Sequence, residues 1–351
     1  MVLRVPLTRR QFGSGLAAAT ASVPLLGAIP VRALAGAGEA TATPGAADVW
    51  LKLDALTQEA IKLGLEPPKF RLGPATVTAD FRDVAPAILD FMSQVDASVK
   101  EVQQTRGLSA PDAESILDRA SDLLIEATEN ERAPRELEED EEDPQTRSLR
   151  AAPYPVIPPL SEIAGEYREL FASCKIRPER AATINDFANR MLDPANRKRY
   201  EKIYEETCIP WYFVAGIHAL EATFNFRTHL HNGDSLKART HNIPPNRPPE
   251  WNPPNEWEAS AIDALTMKKY DKETSWTLPE ICYRWEKYNG VRSRMEHNIH
   301  TPYLWSFSQH YTKGKFVRDN VWSDDAVSQQ PGAAVLLRKL VDMGAVTLPA
   351  G

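Results

Sequence analysis

Beyond its first 35 residues, the 351-residue chain has no apolar run long enough to cross a bilayer. A membrane-spanning helix needs about 20 consecutive apolar residues. Hydrophobic residues make up 42% of the chain and charged residues 25%, which is the composition of an ordinary globular protein. We therefore expect no stable membrane span in the body of the protein, and room for one large domain or two smaller ones.

Cysteine is scarce, and its three residues are Cys174, Cys208 and Cys282. No two of them form a short motif, which disfavours a metal site built from cysteine. In an oxidising compartment the sequence allows one disulfide and one odd thiol, and it equally allows three buried free thiols. The pairing stays open at this point.

The first 35 residues have the three parts of an export signal. Arg9 and Arg10 precede an apolar run over residues 16–29, and an A-x-A cleavage site ends at Ala35. Paired arginines followed by Phe12 resemble the twin-arginine type, which delivers folded cargo. We predict a twin-arginine-type signal over residues 1–35 and a periplasmic or secreted mature protein; the alternative is an amphipathic first helix of the fold.

The charge balance argues against nucleic acid as a partner. The whole chain has a formal net charge of −7, and removing residues 1–35 deletes four arginines and no acid, which gives about −11. Much of the excess is local, because residues 129–143 hold nine acids against two arginines. Such a block repels itself and is typical of a solvated linker.

Few segments alternate between apolar and polar residues, so any sheet should be small and the protein mainly α-helical. Helical periodicity occurs at 47–65, at 81–102 with Asp80 as N-cap, and at 109–124 with Ser109 as N-cap. We predict a small helical N-terminal domain over residues 36–128, without a catalytic constellation, followed by an acidic and proline-rich linker over residues 129–158.

The remainder, residues 159–351, is predicted to be a helical catalytic domain. Helices are expected at 161–174 with Ser161 as cap, at 181–192, as one helix at 195–219, and at 256–267, 279–288 and 332–343. Residues 241–256 contain six prolines and can be neither a helix nor a central strand. A loop of that length inside a compact domain is more often functional than accidental.

One stretch, residues 210–234, organises this domain. It begins as a dense apolar run, carries one carboxylate at Glu221, and then leaves the helical pattern in a segment rich in His, Asn, Gly and Asp. A carboxylate on an apolar surface has to be paired, hydrogen-bonded or sited in a cleft, because an isolated buried charge is too costly. We predict that Glu221 lies in a cleft and acts as a catalytic acid.

Taken together, the segment 217–226 with Glu221, the segment 228–234, and the pair Tyr288 and Asn289 resemble the lysozyme and lytic-transglycosylase superfamily. The resemblance covers roughly residues 160–342 and is nearest to its goose-type and phage or bacterial lysozyme-like branches. It implies a lysozyme-like helical domain in which Glu221 is the acid and Phe224 the following aromatic residue. The later Tyr288–Asn289 pair would line the cleft near the acid.

The chain departs from this superfamily in two places. Ala222 stands where many members have serine, and no Gly-Leu-Met-Gln string follows the glutamate. Both departures weaken the link to the transglycosylase type specifically. The resemblance implies that a transglycosylase needs no second carboxylate, because the C6 hydroxyl of the sugar attacks.

The chemistry of glycoside cleavage supports the same residues. It needs a protonated carboxylic acid in an apolar pocket, and Ile217, Leu220 and Phe224 supply one around Glu221. An inverting hydrolase also needs a second carboxylate, for which Asp234 is the best candidate and Asp263 a weaker one. We predict peptidoglycan or a related amino-sugar polymer as the partner. Predicted substrate contacts, besides Phe224, Tyr288 and Asn289, are Tyr303, Trp305, His229 and His231.

Two other classes of function remain open. His218 stands three residues before Glu221, and His229 and His231 form an H-x-H pair, so a zinc-dependent wall hydrolase is one alternative. The chain lacks an H-E-x-x-H motif, and these histidines could instead order the loop by hydrogen bonding. A non-catalytic wall-binding module is the other alternative. Our preferred prediction involves no cofactor and no metal, and it uses the net positive segment 284–318 for an anionic wall polymer.

Overall fold

The structure, a computed structural model, describes residues 46–68, 81–106, 110–128, 155–242, 244–252, 256–318 and 321–349. Some sequence predictions lie outside these residues: the export signal over residues 1–35, the N-caps Asp80 and Ser109, and the acidic run of residues 129–143. One compact unit contains all of the described segments. The domain boundaries within it remain a sequence prediction.

The described residues are mainly helical, as predicted, and contain twelve α-helices. Three come before the acidic run: α1 (Ala46–Lys62), α2 (Phe81–Arg106) and α3 (Ala110–Thr128). Nine come after it: α4 (Leu160–Ser173), α5 (Ala181–Leu192), α6 (Pro194–Thr207), α7 (Trp211–Glu221), α8 (Trp257–Met267), α9 (Leu278–Asn289), α10 (Arg292–His297), α11 (Pro302–Trp305) and α12 (Ala333–Asp342).

The sheet found in the described segments has two antiparallel strands, β1 (Lys315–Arg318) and β2 (Val321–Ser323). Phe316 pairs with Trp322, and the register shifts between Phe316 and Arg318. This agrees with the expectation of a small sheet.

The predicted single helix over residues 195–219 is wrong, because two helices occupy this segment. α6 ends at Thr207, and Cys208 caps it in the left-handed region with φ 59°. Pro210 then forms the N-cap of α7. Proline has no N–H to donate and its ring clashes with the preceding turn, so the helix cannot continue through this position. The predicted Ser161 cap is also wrong, since Pro159 is the N-cap of α4 and no side chain caps that helix.

Helix α7 lies at the centre of the fold. Every residue from Tyr212 to Glu221 is buried, and α5, α6 and α12 pack around the helix. A helix that is apolar on all sides has to be enclosed in this way. The C-terminal residue of α7 therefore lies in the interior.

A glycine sets the distance between α7 and α9. A Cβ atom at Gly216 would come within 2.7 Å of Trp285 Cζ2. The Trp285 ring stacks on Phe213, with centroids 5.4 Å apart, and its Nε1 donates to the Phe213 carbonyl at 3.2 Å. α9 itself begins with a capping box between Thr277 and Glu280. These contacts fix α9, which carries Tyr288 and Asn289, against α7.

All three cysteines are free in the structure. Cys174 and Cys282 are buried, and Cys208 is exposed. Burial raises the pKa of Cys174 to about 11 and raises the pKa of Cys282 as well. The structure therefore has no disulfide among the three cysteines, and the alternative of three buried free thiols is wrong for Cys208. No helix in the described ranges has both the length and the apolarity of a membrane span.

Gly332, which precedes α12, offers a test of the packing. A Cβ there would lie 2.2 Å from the Leu304 carbonyl oxygen in α11. We expect Gly332→Ala to lower the free energy of unfolding by about 1–3 kcal/mol, because backbone must move. Gly165→Ala is the matched control: it is exposed in α4, the new Cβ meets nothing within 4 Å, and stability should rise by about 0.5–1 kcal/mol. Urea unfolding of both variants measures this, and equal stabilities would contradict the close approach.

Candidate active site around Glu221

Glu221 is the last residue of α7 and is only 6% exposed. Tyr303 donates a hydrogen bond from its hydroxyl to Glu221 Oε1 at 3.0 Å. Tyr303 belongs to the short helix α11, whose first turn is capped by Thr301. The structure therefore brings together two residues predicted for the site, although 82 positions separate them in the chain.

The electrostatics of Tyr303 keep it a donor. Burial raises its pKa well above the ordinary tyrosine value, and the nearby Glu221 carboxylate and the Tyr288 hydroxyl raise it further. A phenol in this environment stays protonated across the physiological range. Tyr303, which the sequence analysis predicts to contact the substrate, thus contacts the candidate acid in the structure.

The chain turns sharply directly after Glu221. Thr223 and Phe224 both have positive φ, 48° and 60°. Each left-handed residue of this kind costs about 1–2 kcal/mol, so surrounding contacts must hold the turn. Strain of this sort concentrates at functional sites, although it does not prove one.

Two contacts hold the end of α7 in place. The N–H groups of Ala222 and Phe224 both donate to the His218 carbonyl. Gln330, a buried residue shortly before α12, donates from Nε2 to the Leu220 carbonyl at 2.9 Å. The sequence analysis missed Gln330, and no local pattern marks it, because its partner lies 110 positions away.

Phe224, Tyr288 and Asn289 are all buried. The Phe224 ring packs edge-on against Phe187 at 5.3 Å, and the Tyr288 hydroxyl donates to the Leu230 carbonyl at 2.8 Å. Asn289 Oδ1 is buried without a hydrogen-bond partner in the described part of the chain. A buried acceptor without a donor is costly and calls for an explanation, such as a ligand donor.

Asp234 organises a loop. Its Oδ2 accepts hydrogen bonds from Asn232 Nδ2 and from the backbone N–H groups of His241 and Asn242, and its Oδ1 accepts from Asn242 Nδ2 at 2.7 Å. Three of these bonds converge on Oδ2 and one reaches Oδ1, so both oxygens bind the loop. Asp234 thereby fixes the start of the proline-rich segment on the loop that follows Glu221.

The H-x-H pair attaches the same loop to α8. His229 is bonded through Nδ1 to Ser260 Oγ and through Nε2 to the Ala238 carbonyl, both at 2.7 Å. His231 Nε2 bonds Asp263 Oδ2 at 2.8 Å. Ser260 and Asp263 lie three positions apart on one face of α8, so alternating histidines reach them together. Both rings are fully buried, and this geometry favours loop ordering over contact with substrate.

Asp263 is the weaker of the two predicted second carboxylates. Burial raises its pKa, but the hydrogen bonds and charges of His231 and Arg247 outweigh burial, so the net pKa is below the ordinary value. Its two oxygens contact His231 and both arms of Arg247. Asp263 is therefore an ionised partner in a structural network.

His218 is a core residue in this structure. Its ring is fully buried beside Phe226 and Trp257, and Tyr200 contacts Nδ1 at 2.9 Å. Burial lowers its pKa to about 3. The ring is thus neutral at physiological pH, although it lies one turn before the candidate acid.

The three histidines of the zinc alternative do not form a ligand set. His229 and His231 have ring centroids 5.8 Å apart, whereas His218 packs in its own aromatic cluster. Among the residues that the structure describes, no group of three or more His, Cys, Asp or Glu side chains is arranged to hold a metal ion.

Trp305 and the positive segment 284–318, both predicted to contact the polymer, are engaged within the protein. Trp305 is fully buried and packs edge-on against His310 at 5.4 Å, which favours a core role over a sugar platform. The positive surplus of residues 284–318 is offset by acids, several of them from elsewhere in the chain. The ion pairs are Arg284–Glu273, Arg292–Glu296, Arg294–Glu286, Arg294–Glu166 and Lys313–Asp325. The segment is therefore a weaker attractor of anions than its sequence predicts.

A second buried carboxylate, Glu286, escaped the sequence analysis. It is fully buried in α9, where Tyr167 donates to Oε2 at 2.6 Å and Arg294 donates to both oxygens. Arg294 Nη1 also donates hydrogen bonds to both carboxylate oxygens of Glu166. Because a cation and a phenol satisfy Glu286 completely, it suits a structural ion pair that links α4 to α9.

Comparison with protein-family models, with curated proteins and with solved structures found no match. The lysozyme-like relationship therefore remains a resemblance carried by individual residues.

The buried His218 predicts a pH dependence of stability. Its folded-state pKa of about 3 lies below the ordinary histidine pKa of 6.5, so between these values the unfolded chain binds a proton that the folded chain does not. Stability should fall as the pH drops through this window, by about 1.4 kcal/mol per pH unit from this group. His218→Phe should flatten the slope in urea unfolding measured at several pH values.

Ile217→Val is the control, since Ile217 is equally buried on the same helix. It should lower stability by about 0.5–1.5 kcal/mol at every pH and keep the wild-type slope. The same slope in His218→Phe as in wild type would contradict a neutral, buried histidine.

Proposed function

We propose that the protein cleaves the glycan strands of peptidoglycan and that Glu221 is the general acid. The observation that carries this proposal is the buried hydrogen bond between Glu221 and Tyr303 at the end of an entirely buried helix. Glycosidases need a carboxylic acid that keeps its proton until it reaches the leaving oxygen. Burial of the Glu221 carboxyl group favours the form that keeps its proton, and Tyr303 holds the group in place.

Two physical effects favour the protonated form of Glu221. Burial disfavours the charged carboxylate, because the interior solvates it poorly. The C-terminal end of a helix carries a partial negative charge, and α7 ends at this residue, so the helix also opposes a second negative charge there. The same combination of an apolar pocket and a carboxylic acid operates in known glycoside-cleaving sites.

Tyr303 then acts as a positioning residue. Its hydroxyl donates to Oε1, so the transferable proton of the acid is carried by the other oxygen, Oε2. The hydrogen bond to Oε1 fixes the orientation of the carboxyl group. This matters because proton transfer requires the acid proton to point at the leaving oxygen.

After the leaving oxygen is protonated, a nucleophile has to attack the sugar. We propose that this step needs no second carboxylate. An attacking water needs a carboxylate that is available to orient it, whereas Asp234 already accepts three hydrogen bonds at Oδ2 and one at Oδ1 from the loop that it orders. In the transglycosylase route, the C6 hydroxyl of the sugar attacks instead. The structure of the Asp234 loop supports this route over hydrolysis.

Asn289 supplies an orientation point for the sugar. Its Oδ1 is a buried acceptor without a donor among the described residues, at the C-terminal end of α9 next to Tyr288. Tyr288 in turn lies close enough to influence the pKa of Tyr303. The N–H of an acetamido group would satisfy this acceptor, which supports an amino-sugar polymer as the substrate class.

The first test replaces the acid. Glu221→Gln keeps the shape of the side chain but has no transferable proton, so release of soluble glycan from purified cell wall should fall by about 10²–10⁴-fold. Glu206→Gln, an exposed position at the end of α6, is the matched control and should keep full activity. Thermal unfolding of both variants checks that the fold is retained.

Equal wall clearing by wild type and Glu221→Gln would overturn the assignment of the acid. Loss of activity on addition of a chelator would favour the zinc alternative. Binding of the wild type to the wall with no released sugar at all would mean a non-catalytic wall-binding module.

The second test identifies the reaction from its products. Attack by the C6 hydroxyl leaves anhydro-muramyl ends, whereas attack by water leaves reducing ends. Mass spectrometry of the soluble fragments should show anhydro-muramyl ends for the wild type, and any activity that survives in Asp234→Asn should give the same kind of end. Reducing ends that disappear in Asp234→Asn would instead make Asp234 the base of a hydrolase.

A further inference from the structure

One face of α3 carries a row of polar side chains, Glu114, Asp118, Ser121 and Asp122. Their spacing of three and four residues places them on a single stripe of the helix. We call this row the α3 stripe. Its partners are residues of the segment that directly follows the candidate acid.

The central contact is buried. Asn225 donates from Nδ2 to Ser121 Oγ at 2.9 Å, and both residues are at most 2% exposed. Asn225 is also the residue that closes the turn after Glu221: its N–H donates to the Ala222 carbonyl at 2.8 Å, and its Oδ1 accepts from the Arg227 N–H. The same side chain thus joins the turn to α3.

Charged contacts surround this hydrogen bond. The two arms of Arg227 bind Asp118 at 2.7 Å and Glu114 at 2.5 Å, and Lys237 lies 3.3 Å from Asp122. Asp118 is 35% exposed and Glu114 60%, so water and salt weaken these pairs. The α3 stripe is negative, and the segment opposite it contributes an arginine and a lysine.

The turn requires such support. Thr223 and Phe224 are both left-handed and neither is a glycine, so the isolated peptide would leave this conformation. α7 holds the turn from one side through the His218 carbonyl. The α3 stripe holds it from the other side, four residues after Glu221.

We propose that α3 is a positioning element of the active site: Ser121 and Asp118 fix the turn after Glu221 and thereby set the direction of the acid. The catalytic part of this inference rests on the proposed function; the mechanical part does not. The N-terminal helices then contribute to the reaction without touching the substrate.

The mechanical part is tested by hydrogen exchange on the full-length chain. Ser121→Ala leaves the Asn225 amide buried without its acceptor, and Asp118→Arg places a cation against Arg227. Both variants should exchange the backbone amides of residues 222–228 at least tenfold faster than wild type, because a stretch that opens more often exchanges faster. Combining Asp118→Arg with Arg227→Asp restores an opposite-charge pair and should slow the exchange again.

Glu126→Gln is the matched control, because Glu126 lies on the same helix and pairs with Lys52 of α1. It should leave the exchange of residues 222–228 unchanged. Wild-type exchange rates in both Ser121→Ala and Asp118→Arg would contradict the proposal that α3 fixes the turn after Glu221, whatever the protein catalyses.

Glycan cleavage tests the catalytic part. In Asp118→Arg, kcat should fall about tenfold with KM unchanged. The variant loses an interaction that orients the acid for the transition state, and it loses no contact with the bound substrate. The charge-swapped double variant should recover most of kcat, and Glu126→Gln should match wild type. Faster exchange with an unchanged kcat would overturn the positioning role, and equal activity in wild type and Glu221→Gln would overturn the proposed function while leaving the exchange result intact.

Discussion

The structure around the candidate site depends on one constraint: a carboxyl group has to be accommodated at the end of a helix that is buried on every side. α7 is mostly apolar, and Glu221 is its last residue. An acid in that position needs hydrogen-bond partners, because a lone charge in the interior is too costly. Tyr303 provides one partner, and it is held by α11, which packs directly against the glycine before α12. The Glu221–Tyr303 bond therefore links α7 to α11, and α11 in turn lies against the start of α12.

The same logic explains the loop after Glu221, where polar side chains replace regular secondary structure. Asp234 binds the backbone of residues 241 and 242, and the two histidines at 229 and 231 bind α8. A segment rich in proline cannot satisfy itself with helical or sheet hydrogen bonds. Its order comes from a few buried side chains, each with several partners. His229 and Asp234, which the sequence suggests as site residues, hold this loop together by hydrogen bonds.

The sequence predicts local structure well and tertiary roles less well. The helices at 181–192 and 279–288 follow from periodicity and agree with α5 and α9, and the absence of alternating segments correctly predicted a small sheet. The break at Cys208 and Pro210 was missed because apolar spacing continues through it, although the proline forbids a continuous helix. Gln330 and Ser121 were missed for another reason. Each is defined by a partner more than 100 positions away, and periodicity carries no information about such pairs.

Several contacts that hold the site and its surroundings are long-range in sequence. Glu221 meets Tyr303 across 82 positions, Asn225 meets Ser121 across 104, and Tyr167 meets Glu286 across 119. Contacts of this separation require loop closure before they contribute, so they form late when a chain folds. A partly folded or truncated chain would contain the glutamate but not the phenol or the turn that orients it. The pairing of Glu221 with Tyr303 therefore depends on the folding of segments that lie far apart in the chain.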